Sequence, residues 1–309
     1  MLPAAAGAAS AAPGRTCPVS YRYSPAVFRR SPDIDCDTLY VVGGLYGNVE
    51  ALEAVLAMAG AEPGGATVVF NGDFHWFDVE AADFERIDAA VARHFALRGN
   101  VETEIAGEDS GAGCGCAYPA DVSDADVSRS NLILERLRGT ARRFPARRQR
   151  LAELPMHLLA AVGRARIGIV HGDATSLAGW GFARDRLDDP AHGRWVGAMF
   201  EQAQVEAFAC SHTCMPALRG FAADGGARIV ANNGAAGMPN GPGLRHGIAT
   251  RISTRPSAQG ARIEGLETAG VHVEALPIDY DHDRWLARFL AAWPAGSPAH
   301  DSYYRRMAR

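Results

Sequence analysis

Residues 38–73 read TLYVVGGLYGNVEALEAVLAMAGAEPGGATVVFNGD. An apolar, β-branched run ends abruptly in Gly43-Gly44, a helical pattern follows at 49–59, and a second such run ends in Asn71-Gly72-Asp73. Strands that are apolar at every position are buried on both faces, so the segment predicts a β-α-β unit inside a sheet covered on both sides. In such sheets ligands bind beyond the carboxyl ends of the strands, where the glycines and Asp73 lie.

The same punctuation recurs along the chain. FALRGN (95–100), RIGIVHGD (166–173), EAFACSH (206–212) and RIVANNG (228–234) each run from apolar residues into a glycine or a polar side chain. A helical pattern at 82–94 keeps the β-α-β alternation going. Beyond residue 216 short strands follow with little helix between them, at 217–222, 228–232, 247–252, 261–266 and 271–275, as in a more antiparallel half. YDHDRWLARFLAAW (280–293) is an amphipathic helix with Asp281 or Asp283 as its N-cap. The expected organisation is a flexible N-terminal arm over 1–35, whose later part packs on the domain, one α/β domain over 36–280, and a C-terminal helix over 281–309 docked on it.

Composition narrows the function classes. The 309 residues are 48% hydrophobic and 21% charged, enough for a large buried core. A formal net charge of -4 provides no basic field, so no nucleic acid is expected as partner. The chain contains no lysine, which removes P-loop and Schiff-base chemistry. No apolar run reaches membrane-spanning length, no signal peptide is recognisable at the start, and six scattered cysteines do not form a secreted disulfide framework; a cytoplasmic protein is expected.

Asp73, Asn100, His171 and His212 each stand at a strand end beside a glycine or another small residue. They form an O, O, N, N set suited to a divalent ion, with Gly72, Gly99 and Gly172 allowing the sharp turns that make side chains converge. Singly, each residue is as readily a helix cap or a satisfied buried histidine. Four in this order carry the argument.

In that order the chain resembles the calcineurin-like metallophosphoesterases, whose motifs run D-x-H, G-D, G-N-H-[DE], H and G-H-x-H. The corresponding stretches are Gly44-Leu45-Tyr46-Gly47-Asn48, Gly72-Asp73, Gly99-Asn100-Val101-Glu102, His171-Gly172-Asp173 and Ser211-His212-Thr213-Cys214, with Asn232-Asn233-Gly234-Ala235 resembling the family's N-P-G-S turn. The resemblance spans about residues 37 to 237 and implies an α/β fold: a four-layer α-β-β-α sandwich of two mixed sheets flanked by helices. It also implies two metal ions. The ligands of one are complete here in Asp73, Asn100, His171 and His212, whereas the other retains Asp73 but has Gly44, Tyr46 and Cys214 in place of its Asp and two His. The histidine of G-N-H, which in the family stabilises the transition state or protonates the leaving group, is Val101.

The resemblance makes the chain a metal-dependent phosphoesterase acting on a small phosphorylated substrate. Its catalytic residues would be Asp73, Asn100, His75 and Glu102, and its metal ligands Asp73, Asn100, His171, His212 and Cys214, holding zinc, iron or manganese. His75 is read as a replacement proton donor, Glu102 and Asp173 as added carboxylates, Arg98 as a phosphate contact, and Tyr46 as a ligand or a packed ring. The alternative for His75, Glu102 and Asp173 is a solvated or capping loop side chain, and for Arg98 a side chain facing solvent. Cys114 and Cys116, in an insertion at 104–127, either rebuild the second site as thiolates with Cys214 or are inert loop thiols. The alternative reading is a catalytically weak protein of the same fold that binds without turnover.

Overall fold

Side-chain alternation along the strands sets the layers. In the strand Thr38–Val42, Leu39 and Val41 face the opposite sheet, while Tyr40 and Val42 face the helices. The computed structural model describes residues 12–108, 111–224, 226–258 and 262–308.

The described chain begins its regular structure with β1 (Ile34–Cys36), β2 (Thr38–Val42), α1 (Val49–Gly60), β3 (Thr67–Asn71), α2 (Ala81–Val91) and β4 (Phe95–Leu97). Three helices follow, α3 (Asn100–Ala106), α4 (Asp124–Ala141) and α5 (Pro145–Glu153), then the hairpin of β5 (His157–Val162) and β6 (Ala165–Val170). Next come α6 (Arg184–Asp188), α7 (Gly193–Ala203), β7 (Ala207–Cys210), β8 (Ala217–Ala223) and β9 (Gly226–Asn232). The remainder is β10 (Gly247–Ser253), β11 (Glu264–Thr268), β12 (Val271–Ile278), α8 (His282–Ala292) and α9 (Pro298–Met307).

Two mixed six-stranded sheets result, ordered β1-β5-β6-β7-β9-β8 and β11-β12-β10-β2-β3-β4. In the second, β2, β3 and β4 are parallel, with Leu39 opposite Thr67 and Val69 opposite Phe95, and β10 and β12 continue it antiparallel. In the first, β6, β7 and β9 run parallel, with Ile167 opposite Ala207 and Ala207 opposite Ile229. Val41, Val69 and Leu97 meet Ile167, Ala209 and Ile229 between the sheets. Outside them, Leu52, Val55, Phe84, Trp285 and Phe289 cover one sheet, and Val196, Phe200 and Phe28 the other. This is the expected four-layer sandwich. The carboxyl ends of both parallel trios open on one edge, and the site forms there.

Three features differ from the sequence reading or refine it. Residues 1–11 of the expected arm lie outside the described residues, while its later part is packed: Phe28 is fully buried, the Tyr23 hydroxyl donates to the Asp173 carbonyl at 2.7 Å, and β1 joins a sheet. The insertion after β4 is helical only at its two ends, where α3 runs on from Asn100 to Ala106 and α4 starts at Asp124; the described residues between them form turns and loop. The C-terminal segment holds two helices, α8, capped by Asp281 through the Arg284 N–H at 3.0 Å, and α9, which the sequence reading did not resolve.

Candidate metal centre

Asp73 follows β3, Asn100 opens α3 just after β4, His171 follows β6 and His212 follows β7. The turn after β3 is built for convergence. Gly72 has φ +74°, and a Cβ there would lie 2.6 Å from both the Gly99 nitrogen and His171 Nδ1, so only glycine lets the two sheets approach here. Asp73 itself sits at φ +50°, a left-handed conformation that costs a non-glycine residue about 1–2 kcal/mol. The Glu102 carboxylate secures that turn, accepting from the N–H groups of Asp73 (2.8 Å), Gly99 (2.9 Å) and His75 (3.2 Å).

The four side chains meet around His171 Nε2. Asn100 Oδ1 lies 3.1 Å from it, His212 Nδ1 3.2 Å and an Asp73 carboxylate oxygen 3.3 Å. The far side of each ligand is committed elsewhere. His171 Nδ1 is 3.0 Å from the Asn71 carbonyl and His212 Nε2 3.0 Å from the Cys116 carbonyl; a carbonyl only accepts, so both nitrogens carry the proton. The Asn100 amide donates to the Cys114 carbonyl at 2.9 Å, and the other Asp73 oxygen accepts from the Val101 N–H at 3.2 Å. With both imidazoles neutral, what points inward is two lone-pair nitrogens, an amide oxygen and a carboxylate oxygen, four acceptors with no donor among them. Acceptors this close repel one another unless a cation stands between them.

The donor set fits a divalent ion. A tetrahedron of N and O ligands at ~2.0–2.1 Å from zinc has edges of roughly 3.3 Å, and the separations from His171 Nε2 are 3.1–3.3 Å. Backbone carbonyls behind both imidazoles fix their tautomers, the usual outer support of a metal-bound histidine. Asp73, His171 and His212 are all buried. Burial, and then the neighbouring His171, pulls the His212 pKa down to about 4, keeping its imidazole neutral at ordinary pH. Burial opposes charge on His171 as well, but the Asp73 carboxylate outweighs it and raises its pKa. The pair thus attracts positive charge, whether a proton or a metal ion.

The other half of the family's site is filled differently. The Tyr46 hydroxyl and the Cys214 thiol lie 2.7 Å apart and hydrogen-bond to each other, and Cys214 is outside the converging acidic and histidine group, so its expected role as a ligand is not met. Burial raises the pKa of both groups. Cys114 and Cys116 are joined in a disulfide; their sulfurs are not available as the expected thiolates, and it is their carbonyls that serve the site, by holding Asn100 and His212.

Four further expectations are corrected by position. His75 is turned away into the core, its Nδ1 2.6 Å from Asp78 and its ring stacked on Phe84 at 4.1 Å, so it donates no proton to the cleft. Glu102 points at backbone N–H groups and acts as a positioning residue. Asp173 accepts from Thr175, Ser176 and the Gly181 N–H, closing the loop that carries Trp180. Arg98 donates to the Ala152 carbonyl at 2.8 Å, next to α5 and away from the cleft.

A pocket of about 200 Å³ opens over Asp73, Asn100 and His212. The sequence reading missed five of the lining residues: Trp76, Tyr118, Trp180, Tyr303 and Arg306. Tyr303 and Arg306 come from α9, whose sequence PAHDSYYRRM buries only Ala299 and Met307 fully and so lacks a legible apolar stripe; Pro298 at its first position was the available signal. A larger cavity of about 470 Å³ beside Arg184, Arg219 and Glu274 contains none of the converging ligands.

No family model and no curated protein matches the chain. Solved structures do. A metallophosphoesterase from Sphaerobacter thermophilus aligns over 88% of this chain and 98% of its own, with a TM-score of 0.52 and 18% identity. A hypothetical protein from Pyrococcus horikoshii aligns over 85% of this chain and 96% of its own, with a TM-score of 0.57 and 17% identity. With the two six-stranded sheets and the strand-end positions of Asp73, Asn100, His171 and His212, these likenesses show that the chain has the fold of the calcineurin-like metallophosphoesterases.

Proposed function

We propose that this chain is a metal-dependent phosphoesterase that works with a single divalent ion. The observation carrying this reading is the donor-free focus of four acceptors, each fixed from behind by a carbonyl or an N–H. Asp73, Asn100, His171 and His212 would hold the ion, which when bound supplies Lewis-acid polarisation of a phosphoryl oxygen and an acidified water. Zinc, iron or manganese suits the two-nitrogen, two-oxygen set. Asp73 provides its only negative charge. The pocket walls limit the substrate to a small phosphate mono- or diester, since about 200 Å³ is below the usual size of drug-sized ligand sites.

Proton supply sets the reach of this chemistry. Val101 occupies the position of the family's histidine, and the phenols lining the pocket, Tyr46, Tyr118 and Tyr303, are held above the ordinary phenol range by burial, Tyr118 at about 12. Without a donor poised near neutrality, a protonated-leaving-group pathway forfeits about 10² to 10⁴ in rate. Turnover is therefore expected to be slow on ordinary esters. After chelation and reloading, hydrolysis of p-nitrophenyl phosphate should appear only with added ion and be absent in Asp73→Ala. Turnover surviving both treatments would overturn the metal mechanism.

A second reading is favoured by one observation. Tyr46 and Cys214, which stand where the family has ligands for its second ion, are hydrogen-bonded to each other, as expected of a protein that keeps one bound ion for binding alone. A folded, metal-loaded protein inactive across a broad panel of phosphoesters would favour this reading.

A further inference from the structure

Resting on the phosphoesterase reading, we infer that the substrate is an aryl phosphate ester, its ring carried directly on the ester oxygen, with Arg306 as the residue that binds the phosphate. Three independent features of the pocket support this.

First, its walls are aromatic. Trp76, Tyr118, Trp180 and Tyr303 all line it. Trp180 is set by a hydrogen bond from its indole N–H to the Cys116 carbonyl at 3.1 Å and stands edge-on to His212 with ring centroids 5.5 Å apart. Tyr118 packs against Trp180, with centroids 6.1 Å apart and planes tilted by 50°, so the two rings form one aromatic wall beside the converging side chains. A flat ring lying on that wall gains stacking as well as burial.

Second, Arg306 is the one arginine among the pocket's lining residues. Its Nε donates to the Pro239 carbonyl at 2.8 Å and its Nη2 to the Cys214 carbonyl at 2.9 Å. Two carbonyls therefore hold the guanidinium plane, and neither neutralises its charge. Among the described contacts, Nη1 is not engaged, leaving N–H groups for an anion.

Third, the phenols among the pocket's lining residues are held above the ordinary phenol range by burial, and a phenolate departs without a proton donor far more readily than an alkoxide. Ring and phosphate together also suit the small volume. A nucleotide, with ribose between ring and phosphate, would place its base beyond that wall.

The test is calorimetric titration of the metal-loaded full chain with phenyl phosphonate, methyl phosphonate and adenosine monophosphate, none of which needs to turn over. Phenyl phosphonate should bind at least about tenfold more tightly than methyl phosphonate, from stacking and ring burial. Trp180→Ala should remove that preference while Trp180→Phe keeps it. Arg306→Gln should weaken both phosphonates alike by about 10- to 100-fold, with metal content unchanged. Equal affinities for the two phosphonates with metal bound, tighter binding of adenosine monophosphate, or an unaffected Arg306→Gln would each overturn the inference and leave the phosphoesterase reading standing. A wild-type protein that takes up no metal would overturn that reading and this inference with it.

Discussion

Gly44→Asp, Tyr46→His, Val101→His and Cys214→His, introduced together, should raise hydrolysis of an alkyl phosphate ester by about 10² to 10⁴. The backbone gives the reason to expect success. Gly44, Tyr46 and Cys214 have φ of +64°, +55° and +56°, so all three are left-handed, as is Asp73. Asp and His are among the residues enriched in that region, whereas a bulky Tyr there is an outlier. The turns have thus kept a shape that suits ligands even though the ligands have changed. The order of substitution matters: a Cβ at residue 44 would come within 2.9 Å of the Tyr46 ring, so Gly44→Asp alone should destabilise the fold and Tyr46→His should relieve it. The gain should be larger on an alkyl ester than on p-nitrophenyl phosphate, because only the former leaving group needs the restored proton donor. A folded quadruple variant that binds a second ion but turns over no faster would contradict this account.

The second large effect concerns stability and pH. His75 is fully buried beside Asp78, with Asp88 3.9 Å from its Nε2 and the Glu102 carboxylate also near. Burial disfavours its charge, but Asp78 and the other carboxylates more than compensate, lifting its pKa to about 9. Arg147 at 2.6 Å and Arg150 hold Asp88 ionised on its other side. A histidine raised on folding stabilises the native state fully below its unfolded pKa of about 6.5, and that contribution fades as pH climbs through about 9. The shift corresponds to about 3 kcal/mol. In denaturant titrations the stability gap between wild type and His75→Gln should narrow from pH 6.5 to 9.5; a gap independent of pH would show that His75 is neutral in the fold.

His75 also shows where sequence reading stops. Two residues past Asp73 it was read as facing the site, yet the left-handed turn at Asp73 sends it into the core instead. Backbone direction after such a turn is not encoded in spacing. Glu102 carried a better signal, since it stands three residues after Gly99, the N-cap of α3, and a glutamate there commonly reaches back to backbone N–H groups. The convergence of Asp73, Asn100, His171 and His212 was legible because each ends an apolar strand and adjoins a small residue, a local pattern. The sandwich was legible for the same reason. The aromatic and arginine walls of the pocket were not, because Trp180 is placed by a loop that Asp173 closes, and Tyr303 and Arg306 by docking of a helix far along the chain from His212. Cys114 and Cys116 were read through their sulfurs, whereas the site uses their carbonyls, which any residue type would supply.

The central claim is that Asp73, Asn100, His171 and His212 together hold one divalent ion. Stripped protein dialysed against zinc or manganese and analysed by inductively coupled plasma mass spectrometry tests it most directly, with His171→Ala alongside. Four inward-facing acceptors, with Tyr46 and Cys214 paired to each other, predict about one ion per chain in the wild type and a large loss in the variant. No ion in the wild type, or an unchanged count in His171→Ala, would contradict the account.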